Sequence, residues 1–167
     1  MIKLTCQVKK ELSYTEDELI LKRIMSAIIN STSGLKDVLL CDDTGITFLS
    51  ETKFRFTEEN GVSVENIGAI SSAVFVAGEE QGHILGYGSI NLQITEYDEG
   101  MIFSIKVGEG VLSISTDKNV QIGFIRSTMK KWAPKITKVL NRYLQADQAE
   151  LSKDVRELFR SDNAGMF

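Results

Sequence analysis

The sequence holds one histidine, one proline, one tryptophan and two cysteines among its 167 residues. A single imidazole, His83, removes most metal sites and most acid–base triads built on histidine. Cys6 and Cys41 lie far apart and neither belongs to a C-x-x-C pair, so zinc-site spacing is absent. Both read as buried free thiols of a reducing compartment rather than as a disulfide. No run approaches the ~20 apolar residues that span a bilayer. The amino-terminal MIKLTCQVKKEL is also too short and too charged for a signal peptide. A cytoplasmic location without direct membrane insertion is expected, so the sequon Asn30-Ser31-Thr32 needs no glycan. No stretch stands out as a basic patch. The net charge of −4 gives no general attraction for an anionic membrane or for nucleic acid, and no nucleic-acid partner is expected. With no low-complexity stretch and no internal repeat, the chain reads as one compact unit with tails.

What is present is periodicity. Residues 2–8 alternate loosely, as a short strand or as an arm that orders on a partner. Thr15 and Glu18 have the T-x-x-E spacing of a capping box. Behind them Ile20, Ile24, Ala27 and Ile28 recur at helical spacing, predicting a helix over 16–31 that Ser33-Gly34 ends. Val38-Leu39-Leu40-Cys41, the turn Asp42-Asp43-Thr44-Gly45 and Ile46-Thr47-Phe48-Leu49 form a hairpin signature. Residues 50–62 read as a loop that tucks Phe54 and Phe56 inward. Ser63 caps a second helix, whose inward stripe is expected at Ile67, Ser71, Val74 and Gly78. From Gly86 the period becomes two, giving three strands broken at Asp98-Glu99-Gly100 and Gly108-Glu109-Gly110. After Asp117-Lys118-Asn119 a long helix carries Ile122, Ile125, Met129 and Trp132. Pro134 should kink it or divide it. Ile136, Val139, Leu140, Tyr143 and Leu144 continue the apolar face, and Leu151, Val155, Leu158 and Phe159 form another.

The predicted fold is α+β, in the order α-ββ-α-βββ-α. It is a five-stranded antiparallel sheet with helices on both faces. Three segments are expected: an arm over 1–14, a domain over 15–133 and a helical extension over 134–167.

The chemical motifs are few. Asp43-Thr44-Gly45 imitates the D-T-G of a dimeric aspartic protease, with Ile84-Leu85-Gly86 in the place of its second motif. Such an enzyme packs a small residue behind the motif, where this chain has the branched Ile46, and needs strands where 63–82 reads as helix. Asp and Gly at a hairpin turn are sufficiently explained by backbone preference. His83, at a helix end, suits the terminal carbonyls better than catalysis. No G-x-x-x-x-G-K-[ST] occurs, and Gly86-Tyr87-Gly88 and Gly108-Glu109-Gly110 read as tight turns. No catalytic residue, metal ligand or cofactor site is assigned, and no enzyme is expected. The second helix is short of large charged residues between 66 and 78, which marks it as an interface. Gly68, Ser72, Phe75 and Glu79 are placed beside the inward stripe, and Ala69 and Val76 on the outer side. The short apolar stripe of Leu151, Val155, Leu158 and Phe159 needs a surface to cover it and is expected to dock on a partner or on the other subunit.

The hairpin D-V-L-L-C-D-D-T-G-I-T-F-L-S at 37–50, the small-residue helix at 63–82 and S-T-D-K-N-V-Q-I-G-F-I-R at 115–126 together resemble the roadblock/dynein light chain family. That family is related to the longin and profilin-like folds, and the resemblance covers residues 16–133. It implies a homodimer in which second helices pair and sheets join edge to edge. It further implies a non-catalytic scaffold or regulator of Ras-like or Rag-like small GTPases. The alternatives are a small-molecule sensor of profilin or longin shape and a structural subunit of a motor-type complex.

Overall fold

The computed structural model describes residues 15–53 and 63–163, with side chains described up to Gln145. The expectations for the amino-terminal arm, Cys6, Phe54 and Phe56 lie outside the described residues. So do the side chains of Leu151, Val155, Leu158 and Phe159.

Helix α1 (Glu16–Ile29) opens on the expected capping box. The Glu18 amide donates to Thr15 Oγ1 at 3.3 Å, and the Thr15 amide donates to Glu18 Oε2 at 2.7 Å. Two free amides of the first turn are thereby satisfied. Strands β1 (Leu35–Asp42) and β2 (Thr47–Thr52) form the hairpin. Helix α2 (Val64–Ile84) follows, with Ser63 Oγ accepting from the Asn66 amide as N-cap. Strands β3 (Gln93–Tyr97), β4 (Gly100–Val107) and β5 (Gly110–Asp117) form a meander with two-residue connections. Helix α3 (Ile122–Asn163) follows β5.

All pairings are antiparallel, and the sheet order is β2-β1-β5-β4-β3. The sequence order α-ββ-α-βββ-α and the five-stranded sheet are those predicted. Helices α1 and α3 lie side by side on one face, and α2 lies over β1, β2 and β5 on the other. Register explains which residues make each layer. Ile94, Phe103, Ile114 and Val38 face one another across four strands. They point to the α1/α3 side, where Phe103, Ile114 and Val38 join Leu21, Met25, Ile28, Leu40, Leu112, Ile125 and Met129 in the main core. Period-two alternation sends the neighbouring Leu39, Cys41 and Val111 to the α2 side, where they are also buried.

Pro134 neither ends α3 nor divides it. It sits on the exposed side of the helix. There the Lys130 carbonyl that loses its amide partner can turn to water. Beyond it Ile136, Val139 and Leu140 are buried in the main core, and Tyr143 packs against it. Arg142 Nε donates to both carboxylate oxygens of Asp17 at 2.9 Å, fastening α3 to the start of α1.

Candidate interaction surface

Helix α2 meets the sheet through its smallest residues. Gly68, Ser71, Ser72 and Phe75 are its buried positions. A side chain at Gly68 would collide with Thr47 Oγ1 and come within 2.9 Å of Cys41 Sγ, so glycine permits the close approach. The Ser72 hydroxyl donates to the Asp42 carbonyl at 2.8 Å. Phe75 is 1% exposed. The Glu79 carboxylate accepts from the Ile90 amide at 2.5 Å, tying the helix to the chain entering β3.

The expected inward stripe of Ile67, Ser71, Val74 and Gly78 is thus out of phase by about a quarter turn. Ser71 is buried, whereas Val74 is exposed and Ile67 and Gly78 are only half-buried. Space near the sheet is too narrow for branched side chains, and hydrogen-bonding and small residues fill it. The assignment of Gly68, Ser72 and Phe75 to an interface is corrected accordingly, because these three face their own sheet. Glu79 is half-buried in the Ile90 contact. Ala69 and Val76 alone of the six lie exposed.

What the rotation leaves outside is aliphatic. Ile70 (66% exposed), Val74 (44%) and Ile84 (76%), with Ala73 and Ala77 between them, follow i, i+3, i+4 spacing along the outer face. Val74, Ala77, Ile84 and Leu85 line one side of a shallow groove of about 640 Å³ that Gln93 of β3 also lines. Among the described residues β3 is an edge strand, and its Tyr97, on the α2 side of the sheet, is exposed. An open edge beside an apolar helix stripe is a surface that folded proteins usually cover. The spacing of Ile70, Val74, Ala77 and Ile84 was the available signal for this surface. In sequence that spacing points inward, because large aliphatic residues ordinarily face a core.

The other motifs resolve into local structure. Asp42 Oδ1 accepts from Thr44 Oγ1 and the Ile46 amide, both at 2.7 Å, which shapes the β1–β2 turn. Gly45 adopts φ 93° there, with Ala69 of α2 too close for any side chain. Asp43 is exposed on this turn. Cys41 is a buried free thiol 3.4 Å from Thr47 Oγ1. Burial pushes its pKa up, since the thiolate would lose hydration, and the Thr47 contact only partly opposes this. His83 is exposed in the last turn of α2, and its backbone carbonyl accepts from the Gly86 amide. No group of His, Cys, Asp and Glu that could hold a metal ion occurs among the described residues.

No family model matches the chain. Three Methanocaldococcus jannaschii proteins named as uncharacterized, MJ0310, MJ1340 and MJ0714, are each 32% identical to it over 108 residues. The matched part is 65% of this chain, 90% of the first two relatives and 86% of the third. The chain belongs to one family with them.

Solved structures extend the likeness to architecture. The gliding protein MglB of Thermus thermophilus superposes with a TM-score of 0.68 at 12% identity, over 77% of this chain and 94% of that one. MglB of Myxococcus xanthus gives 0.64 at 18%, over 77% and 93%. A Roadblock/LC7 domain from Streptomyces avermitilis gives 0.58 at 14%, over 73% and 95%. The fold is that of the roadblock/LC7 domain. No described helix of this chain is long and apolar enough to cross a membrane.

Proposed function

We propose that this roadblock chain is a non-catalytic homodimeric adaptor that binds a small Ras-like or Rag-like GTPase. The observation that carries the dimer is the aliphatic outer stripe of α2 lying beside the edge of β3, which is unpaired among the described residues. Pairing α2 with its copy buries Ile70 and Val74, and pairing β3 with its copy satisfies open backbone groups. Each fully covered aliphatic side chain contributes roughly 1.5–3 kcal/mol. One solved MglB is described as having a tetrameric arrangement, so self-association is compatible with this fold. The GTPase reading rests on the roadblock resemblance of the sequence together with the shared fold. A sensor pocket between α2 and the sheet is disfavoured, since at Gly68 the two are too close to admit even a methyl group.

Light scattering at micromolar concentration should give twice the 18.6 kDa chain mass. Ile70→Asp with Val74→Asp should yield monomers with unchanged helical circular dichroism, because both positions are exposed in the single chain. Wild-type chain that stays monomeric at high concentration would refute the dimer. For the partner, immobilised chain should retain small GTPases from the source cell in a nucleotide-dependent way, read by mass spectrometry. Retention of no GTPase with either nucleotide refutes that part.

A further inference from the structure

Charge along this chain is segregated in a way that its net value conceals. Residues 118–146 contain seven Lys and Arg and no Asp or Glu, while the rest carries 12 Lys and Arg against all 23 acidic residues. The expectation of no basic patch is therefore corrected. Helix geometry gathers the cations further. Ile125, Met129, Ile136 and Leu140 turn into the core, so the opposite half of α3 presents Arg126, Lys130, Lys131, Lys135 and Lys138, all exposed. None of these five has an ion-pair partner among the described residues, whereas Arg142 is held by Asp17. Helix α1, in the same layer, adds the exposed Arg23. The five span about 18 Å of a straight helix side.

We propose that the outer face of α3 binds the surface of an anionic phospholipid bilayer. Three features favour this partner over a folded protein or a nucleic acid. Ile122 and Phe124 are exposed in the first turn of α3, but among the described residues no large hydrophobic side chain is exposed between 125 and 145, so the stretch that carries the five cations has none of the exposed apolar anchors that protein interfaces use. Four of its five cations are lysines, hydrated point charges that suit a diffuse layer of headgroups better than bidentate reading of phosphates or bases. Trp132, half-buried, lies between two of them, with Lys131 Nζ 5.5 Å and Lys135 Nζ 4.9 Å from its ring centroid. An indole flanked by lysines suits the headgroup level of a bilayer. The attraction needs no inserted helix, because each cation near an anionic leaflet adds its own share.

The test is sedimentation of the full chain with phosphatidylcholine vesicles, with and without phosphatidylserine. Binding is expected only with phosphatidylserine at ~0.1 M salt, and should vanish near ~1 M, where screening shortens the Debye length to about 3 Å. Replacing Lys130, Lys131, Lys135 and Lys138 together by Gln should lower partitioning more than about a hundredfold, and Lys135→Gln alone about fivefold. Light scattering on the same variants should still give the wild-type mass, because α2 is untouched; failure of the membrane reading is thus separable from failure of the dimer. The proposal is overturned by any of three results: no binding to the anionic vesicles, equal binding to pure phosphatidylcholine, or undiminished binding of the lysine variants. Tighter retention on duplex DNA than on the vesicles would also overturn it, and would make the face a nucleic-acid contact.

Discussion

At Gly68 a single hydrogen atom in place of a side chain sets how closely α2 can approach the sheet. Gly68→Val would push branched carbons into Thr47 Oγ1 and Cys41 Sγ. Overpacking of this kind costs typically ~1–3 kcal/mol, so the urea midpoint should fall with an unchanged slope. A midpoint equal to wild type would mean that α2 can lift without penalty. A second residue-scale contact joins α1 and α3. The hydrogen bonds from Arg142, and its charge, hold the Asp17 carboxyl below its ordinary value. With the folded pKa lowered, the stabilisation is present above the unfolded carboxylate value, near 4, and is lost as pH falls through the folded value. Asp17→Asn should therefore flatten the acid limb of stability below about pH 4 and leave the alkaline limb unchanged. The midpoint of acid unfolding measures this. An identical acid limb in Asp17→Asn and wild type would show the contact to be energetically silent, as many exposed ion pairs are.

Among the elements, α3 does the most varied work. Its 42 residues make about 63 Å of helix, longer than the sheet it crosses. The part through Leu140 supplies Ile125, Met129 and Ile136 to the core. For the segment beyond Gln145 we retain partner contact as a proposal, with Leu151, Val155, Leu158 and Phe159 as its apolar stripe. Deleting residues 147–167 should leave the thermal midpoint nearly unchanged while weakening partner binding. An unfolded truncation would make the segment part of the core, and unaltered partner affinity would remove its interaction role. Helix α2 shows how an element can be legible while its orientation is not. Its existence and its Ser63 cap follow from local sequence, but which stripe touches the sheet depends on the room available there. Small residues at Gly68, Ser71 and Ser72 win that contact over Ile70 and Val74 because they admit a shorter helix–sheet distance.

For the whole molecule, the two proposed surfaces lie on opposite faces of one sheet, α2 on one and the basic side of α3 on the other. Joining two β3 edges about a twofold axis normal to the sheet keeps both α1/α3 layers on the same side. Such a dimer would present two basic faces to one bilayer and leave both α2 helices away from it. The sequence alone determined the element order, the Thr15–Glu18 and Ser63 caps, the hairpin turns and the antiparallel sheet. Each is written in a few adjacent residues, and backbone preference and side-chain period act at that range. The roadblock resemblance was legible for the same reason, being carried by short motifs in order. Only the tertiary structure decided the phase of α2, the passage of α3 through Pro134 and the gathering of cations on one side of α3. These depend on packing against strands distant in sequence. A net charge of −4 sums over the whole chain, whereas the field a partner meets is set by which side chains share a face.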